Sequence, residues 1–460
     1  AIFFYSLASI CIFLTISQTF FQNNLFTLCH LIYTDTFYMK RKWIRWVSWI
    51  LLTPIILFVI LMVLLYVPPV QNLLRREVTA YASKATGMQI QVERIDLRFP
   101  LNLLVRGVEV IQQPDTLLSL ESLNVRVQAW PLIKGKVEVD EVTLSRVAVN
   151  SADLMEGMKI KGVLGRFFLQ SHGVDLSNEL AVINQVELSD THVQLLMNDT
   201  TTTPKDTTAS APINWKVALH QLKLKNVSFS MQLPADSMRM AAHIGEAAID
   251  DAQADLKNQY YDLKKFLLSG TSVSYDTGTA QPAEGFDASH IAVRDIRIAL
   301  DSLLYKGRDM NAVIREFTMN ERSGLSVTSL TGRAYSNDSV ICVPGLKLNT
   351  PHSEIDLSAH TYWELVNIPT TGRLSARLNA YIGKEDVMLF AGGLPESFKE
   401  AYPFRPLVIR AGTDGNLKEM QISRFTVDLP GAFALEGGGL LENLTDSLTR
   451  TGTIGLKMTT

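Results

Sequence analysis

The sequence predicts a mainly β chain: an N-terminal transmembrane helix followed by an elongated, curved antiparallel β-sheet, a solenoid-like groove of repeats with an apolar interior. Two observations carry this. An eight-residue pattern of apolar positions recurs from residue 90 to residue 427, and residues 47 to 67 form a run with no charged side chain. A third is the scarcity of helical periodicity beyond residue 88, where only 153 to 168 and 395 to 402 read as short helices.

The pattern is apolar, x, apolar, x, x, apolar, x, apolar. It appears as "IQVERIDL" (90 to 97), "LSLESLNV" (118 to 125), "VEVDEVTL" (137 to 144), "LKLKNVSF" (222 to 229) and "MQISRFTV" (420 to 427), with every x polar. At this apolar content chance supplies about two such matches, so five are an excess. Looser copies are "LLVRGVEV", "VALHQLKL", "IAVRDIRI" and "ICVPGLKL". Side chains of a strand alternate with period two, so the central doublet sends the second apolar pair to the wrong face. A β-bulge that absorbs one residue restores the face; a tight turn at each doublet is the other reading. With bulges at Asp140-Glu141 and Ser145-Arg146, the apolar positions line one side. The expected lining is Ile90, Val92, Ile95, Leu97, Leu103, Val105, Val108, Val110, Val137, Val139, Val142, Leu144, Leu222, Leu224, Val227 and Phe229.

The uncharged run "VSWILLTPIILFVILMVLLYV" rises about 30 Å as a helix, the thickness of a bilayer's hydrocarbon core. Trp43, Trp46, Trp49 and Tyr66 stand near its ends, as interfacial aromatics do. Lys40, Arg41, Lys42 and Arg45 crowd the N-terminal flank. The positive-inside rule then places the N-terminus in the cytoplasm and the bulk of the chain across the membrane. Residues 1 to 38 have no Lys, Arg or Met, and Met39 precedes "KRKWIRW". The 1 to 38 stretch therefore reads as upstream sequence joined by a wrong start; an additional membrane segment is the alternative. After the span, Val70, Leu73, Leu74, Val78 and Tyr81 make an apolar stripe at helical spacing, stopped by Gly87. This predicts a short amphipathic helix over 68 to 88 that packs as a cap on the first strands of the sheet. "NDTTTTPKDTTASAP" (198 to 212) reads as a disordered loop between strands. The last residues, "TGTIGLKMTT", end in a strand-like alternation, as in a C-terminally truncated chain.

Composition excludes several classes. Lys plus Arg is 43 against 46 Asp plus Glu, so the basic footprint of a nucleic-acid binder is absent. Three cysteines give neither a disulfide framework nor zinc spacing. No phosphate loop, G-x-S-x-G, H-E-x-x-H or C-x-x-C occurs, and "GGG" at 437 to 439 has no following Lys. His220 falls in a polar doublet and reads as a solvated side chain. Neither an enzyme nor a resident cofactor or metal is expected.

The basic start, the span, the helix ending in "SKATG" and then "IQVERIDLRFPLNLLVRGVEV" resemble the AsmA-like family. "LLSLESLNVRVQAWPLIKGKVEVDEVTLSRVAV" is similar to that family's recurring element, strands joined by a Leu-x-x-Gly linker, here Leu132 to Gly135. "SGLSVTSLTGRAYSNDSVICVPGLKLNTPHSEIDL" resembles the TamB branch, the inner-membrane component of the translocation and assembly module, as found in Bacteroides-type bacteria. The resemblance covers about residues 39 to 360. It implies a bacterial inner-membrane anchor and a periplasmic β-taco that carries phospholipid toward the outer membrane and supports outer-membrane protein assembly and secretion. It also implies an outer-membrane barrel partner, reached through a C-terminal region that this chain lacks. The alternative is a purely structural scaffold for outer-membrane protein translocation and assembly.

Overall fold

A computed structural model describes residues 66–99, 101–112, 114–128, 131, 138–151, 157–175, 178–197, 214–391 and 393–459, with scattered residues between 49 and 64. The chain is mainly β and divides into two compact units. The first holds residues 1–150 and 164–176, the second 151–163 and 177–460. Strand β5 (Met158–Asp175) has residues in each.

The first unit starts with helix α1 (Pro68–Thr86), opened by two prolines and closed by Gly87 at φ 71°, whose N–H donates to the Ser83 carbonyl at 3.0 Å. Glycine is the natural C-terminal stop because the left-handed region costs it nothing. Strands β1 (Gln89–Arg98), β2 (Asn102–Gln112), β3 (Asp115–Val127) and β4 (Val139–Asn150) come next as an antiparallel meander.

Helix α1 caps the edge of β1, as expected, but with its polar side. Gln71 donates to the Leu97 carbonyl at 2.9 Å and Arg75 to the Glu93 carbonyl at 2.8 Å. The Ser83 hydroxyl accepts the Ile90 N–H at 3.0 Å. Bare strand edges attract other strands, and here three side chains satisfy backbone groups that no strand takes up. The expected stripe is turned the other way: Leu73, Val78 and Tyr81 are exposed.

The second unit holds β6 (Leu180–Met197), β7 (Lys216–Leu233), β8 (Met238–Asp255), β9 (Tyr260–Asp276), β10 (His290–Lys306), β11 (Asp309–Glu321) and β12 (Ser326–Val327). It continues with β13 (Ser329–Ser336), β14 (Val340–Asn349), β15 (Glu354–Tyr362), β16 (Leu374–Ile382), β17 (Leu407–Gly415), β18 (Glu419–Leu429), β19 (Phe433–Glu442) and β20 (Thr451–Thr459). From β7 to β20 neighbours pair antiparallel, with β11 bonded to both β12 and β13. The pair β6–β7 is parallel, contrary to the all-antiparallel expectation. A parallel pair needs a long return connection. Eighteen residues of β6 run about 60 Å, and residues 198 to 215 have about that reach when extended.

Two helix readings resolve differently. Residues 396–401 are helical, as expected, within 395 to 402. The 153 to 168 segment is strand from Met158 onward; Gly162 and Gly165 each cost a helix about 1 kcal/mol, and tertiary pairing takes the rest. Short helices at Trp363–Asn367 and Lys384–Leu389 give no clear sequence signal. The triple glycine lies inside β19, where a Cβ on Gly439 would collide with the Thr453 carbonyl and one on Gly437 would come within 2.7 Å of Phe425. These glycines let β18, β19 and β20 approach closely.

Among the described residues no helix is long and apolar enough to cross a membrane. Much of 47 to 67 lies outside those residues. The members that are described, from Trp49 to Leu64, are helical and exposed. Residues 1 to 38, the loop 198 to 212, the linker Leu132 to Gly135 and Val137 lie outside the described residues.

Candidate functional site

The sixteen expected lining positions fall on strands β1, β2, β4 and β7, Val137 excepted. In the first unit they meet one another. Register pairs Ile90 with Val110, Val92 with Val108, Ile95 with Val105 and Leu97 with Leu103. The same rows continue through β3 into β4: Val110–Leu118–Val149, Val108–Leu120–Val147, Val105–Leu123–Leu144 and Leu103–Val125–Val142. Directly opposed residues share a face. Four ladders of pure Val, Ile and Leu therefore cross all four strands, each about 14 Å long at the inter-strand spacing. Val139 pairs with Val127 one step beyond.

These ladders are open. Leu120 is buried at 9% relative exposure, Val149 is exposed at 41%, and the remaining ladder members are half-buried. Among the described residues no large side chain is fully enclosed. A sheet packed against a second layer would bury such a face almost completely. This one keeps contact along its ladders and leaves the outer surface of each side chain free.

The polar doublets form their own rows between the ladders. Glu93, Gly107, Glu121 and Arg146 lie across from one another, as do Arg94, Arg106, Ser122 and Ser145. Arg146 ion-pairs with Glu121. Register runs through this zone without a shift, so the doublets are not bulges that leave a residue over, as the sequence reading expects. A doublet faces a doublet, and the change of phase is made by a left-handed residue: Gly107 at φ 59° and Arg146 at φ 47°. Each strand steps at the same level, so no pairing is lost. The Asp140-Glu141 doublet does behave as expected, with a register shift opposite Arg126 and Val127.

The second unit repeats the arrangement. Leu222 sits in the row Val186–Leu222–Ile249–Phe266–Leu300–Ile314, and Leu224 in Leu188–Leu224–Ala247–Leu268–Ile298–Phe317. Val227 lies between Thr191 and Ile244, and Phe229 between Val193 and Ala242. The left-handed steps are Asp190, Asn226, Asp251, Gly270 and Asp295. They are Asp, Asn or Gly because these types enter that region at least cost. That is the signal a sequence reading misses: a lone Asn, Asp or Gly inside an otherwise alternating strand. His220, as expected, is exposed, and its Nδ1 lies 3.1 Å from Asp251 Oδ1 across the step.

Phe229, Ala242, Val273 and Val293 also line a shallow trough of about 660 Å³, with Arg294 and Arg322 at its rim. Close by, the loop from 277 to 289 is organised by Asp287, which accepts N–H bonds from Ala283 at 3.0 Å and Ser289 at 2.9 Å and contacts His290 Nδ1 at 2.8 Å. These bonds, the Ala283 amide foremost, hold its carboxyl down at about 2. Glu321 is buried, which pushes its carboxyl up, but donors from Ser323, Ala292 and Arg322 outweigh that and the net shift is downward. Both carboxylates fasten loops to strands. Among the described residues no group of three His, Cys, Asp or Glu is placed to hold a metal ion.

What the geometry defines is an open β-structure with one continuous aliphatic face crossed by polar steps. No family model matches the chain, and no curated protein matches it.

Proposed function

We propose that this chain is a membrane-anchored phospholipid conduit of the AsmA-like kind, in its TamB branch, standing in the periplasm and serving the outer membrane. The observation that carries the reading is the set of four uninterrupted aliphatic ladders across β1 to β4, which are half-open. From Ile90 to Leu97 the apolar surface runs about 23 Å along the strand. That exceeds the roughly 15 Å that an acyl chain spans in half a bilayer core. Each CH₂ laid on the face and removed from water contributes up to about 0.8 kcal/mol. The polar doublets between ladders leave headgroups and water a place at the rim. Exposed apolar surface of this extent is costly in a monomer unless something occupies it.

The anchor in this reading is the uncharged 47 to 67 segment, whose described members, including Leu57, Ile60 and Val63, are exposed apolar residues. An outer-membrane barrel partner belongs to the proposal only through the resemblance. The test is to extract the full chain from membranes and identify bound lipid by mass spectrometry. Stoichiometric phospholipid supports a conduit; a chain that emerges without lipid is a scaffold.

A further inference from the structure

We infer that the outer side of α1 is a bilayer-contact surface, so that the helix lies on the membrane while its inner side clamps β1. The inference rests on the membrane-anchored reading, and it concerns a separate element.

The two sides of α1 divide by position. Gln71, Arg75, Thr79, Ala82 and Ser83 are buried or half-buried against the sheet edge. Three of them bond β1 directly. Leu73, Val78 and Tyr81 fall on the other side at 59%, 42% and 51% exposure. A surface helix of a soluble protein normally turns its apolar stripe inward. This one has its inward face taken by polar bonds to a strand edge.

Neighbouring surface favours a lipid occupant. Val67, one residue before α1, is exposed, and the exposed apolar residues of the 49 to 64 stretch precede it. Phe99, at the β1–β2 turn, is 81% exposed, and its ring lies 6.4 Å from that of Tyr66. Aromatic rings beside an apolar helix are typical of the membrane interface. Arg76 and Lys84 are exposed on α1, positioned as the cationic flank that draws an interfacial helix to anionic headgroups.

The experiment uses the full chain with Cys11 and Cys29 changed to Ser and Cys342 to Ala. Single cysteines at Leu57, Asn72 or Tyr81 carry a nitrobenzoxadiazole fluorophore. Each variant is reconstituted into vesicles of phosphatidylcholine and phosphatidylglycerol, with or without spin-labelled lipid. The expected result is quenching at positions 57 and 81 several-fold above that at 72. Quenching at 57 with 81 no higher than 72 overturns the α1 contact and leaves the anchor standing. Quenching at 81 without 57 supports the contact and overturns the anchor. No quenching at either position overturns both.

Discussion

Asn226 and Asp190 lie side by side on β7 and β6, both left-handed at φ 53° and 52°, and Asn226 Nδ2 donates to Asp190 Oδ1 at 2.7 Å. Two neighbouring strands thus take their phase step at one level and bind the step together with one bond. This is why the parallel pair β6–β7 stays in register on both sides of it.

Replacing Asn226 tests the step. Asn226→Val should cost about 1–2 kcal/mol, because a β-branched side chain is strained in the left-handed region. Asn226→Gly should cost less, losing the bond to Asp190 while keeping the backbone conformation. Thermal unfolding followed by β circular dichroism reads the order. A Val variant as stable as the Gly variant would show that the step carries no backbone constraint.

The glycine triplet gives a second test. A Cβ on Gly439 meets the Thr453 carbonyl of β20, and β20 is exposed at every position. Gly439→Val should detach β20 and make residues 451–459 sensitive to protease, while β7 to β10 keep their hydrogen-exchange protection. Unchanged digestion would mean that β19 and β20 separate without cost.

Much of this fold is legible in the sequence, and the illegible parts have physical causes. The ladder residues of β1, β2 and β4 follow from alternation broken by a doublet, because hydrophobic burial sets strand register. The doublet itself is ambiguous: "DEVTLSR" contains one register-shifting bulge at Asp140-Glu141 and one left-handed step at Arg146, and both produce the same written pattern. Only the partner strand decides between them. Arg146 carries no signal for the left-handed region, whereas Gly107, Asn226 and Asp251 do. The direction of β7 is invisible locally, since parallel and antiparallel partners demand the same alternation. The stripe on α1 is readable, but not the side it turns to β1. That depends on polar bonds from Gln71, Arg75 and Ser83 to a strand edge, which no helical periodicity records.

Acid should loosen the β9–β10 loop. Asp287 has its carboxyl held at about 2, below the roughly 3.9 of an unfolded Asp. A depressed carboxylate stabilises the fold above its unfolded value, and that stabilisation is lost as pH falls from about 4 toward about 2. Asp287→Asn should therefore weaken the loop at neutral pH and make little difference near pH 2. Hydrogen exchange of the 277 to 289 amides across this range checks it. Equal destabilisation by the variant at both extremes would remove the titration from the explanation.

The central claim is that acyl chains lie on the aliphatic ladders. The most direct measurement is photo-crosslinking in intact cells, with a benzophenone amino acid placed at Ile95 or Val142 on the ladders, or at Gln91 or Glu109 on the opposite face. Gln91 and Glu109 pair with each other in the row between the first two ladders, so they share the strands but not the side. The account predicts phospholipid adducts at Ile95 and Val142 and none above background at Gln91 and Glu109. It also predicts that Ile95→Asp and Val142→Asp abolish lipid co-purification with β circular dichroism intact, because an unpaired charge on an apolar face is costly, while Glu93 and Thr143 tolerate Asp. Equal adducts on both faces, or none on the ladders, would contradict it.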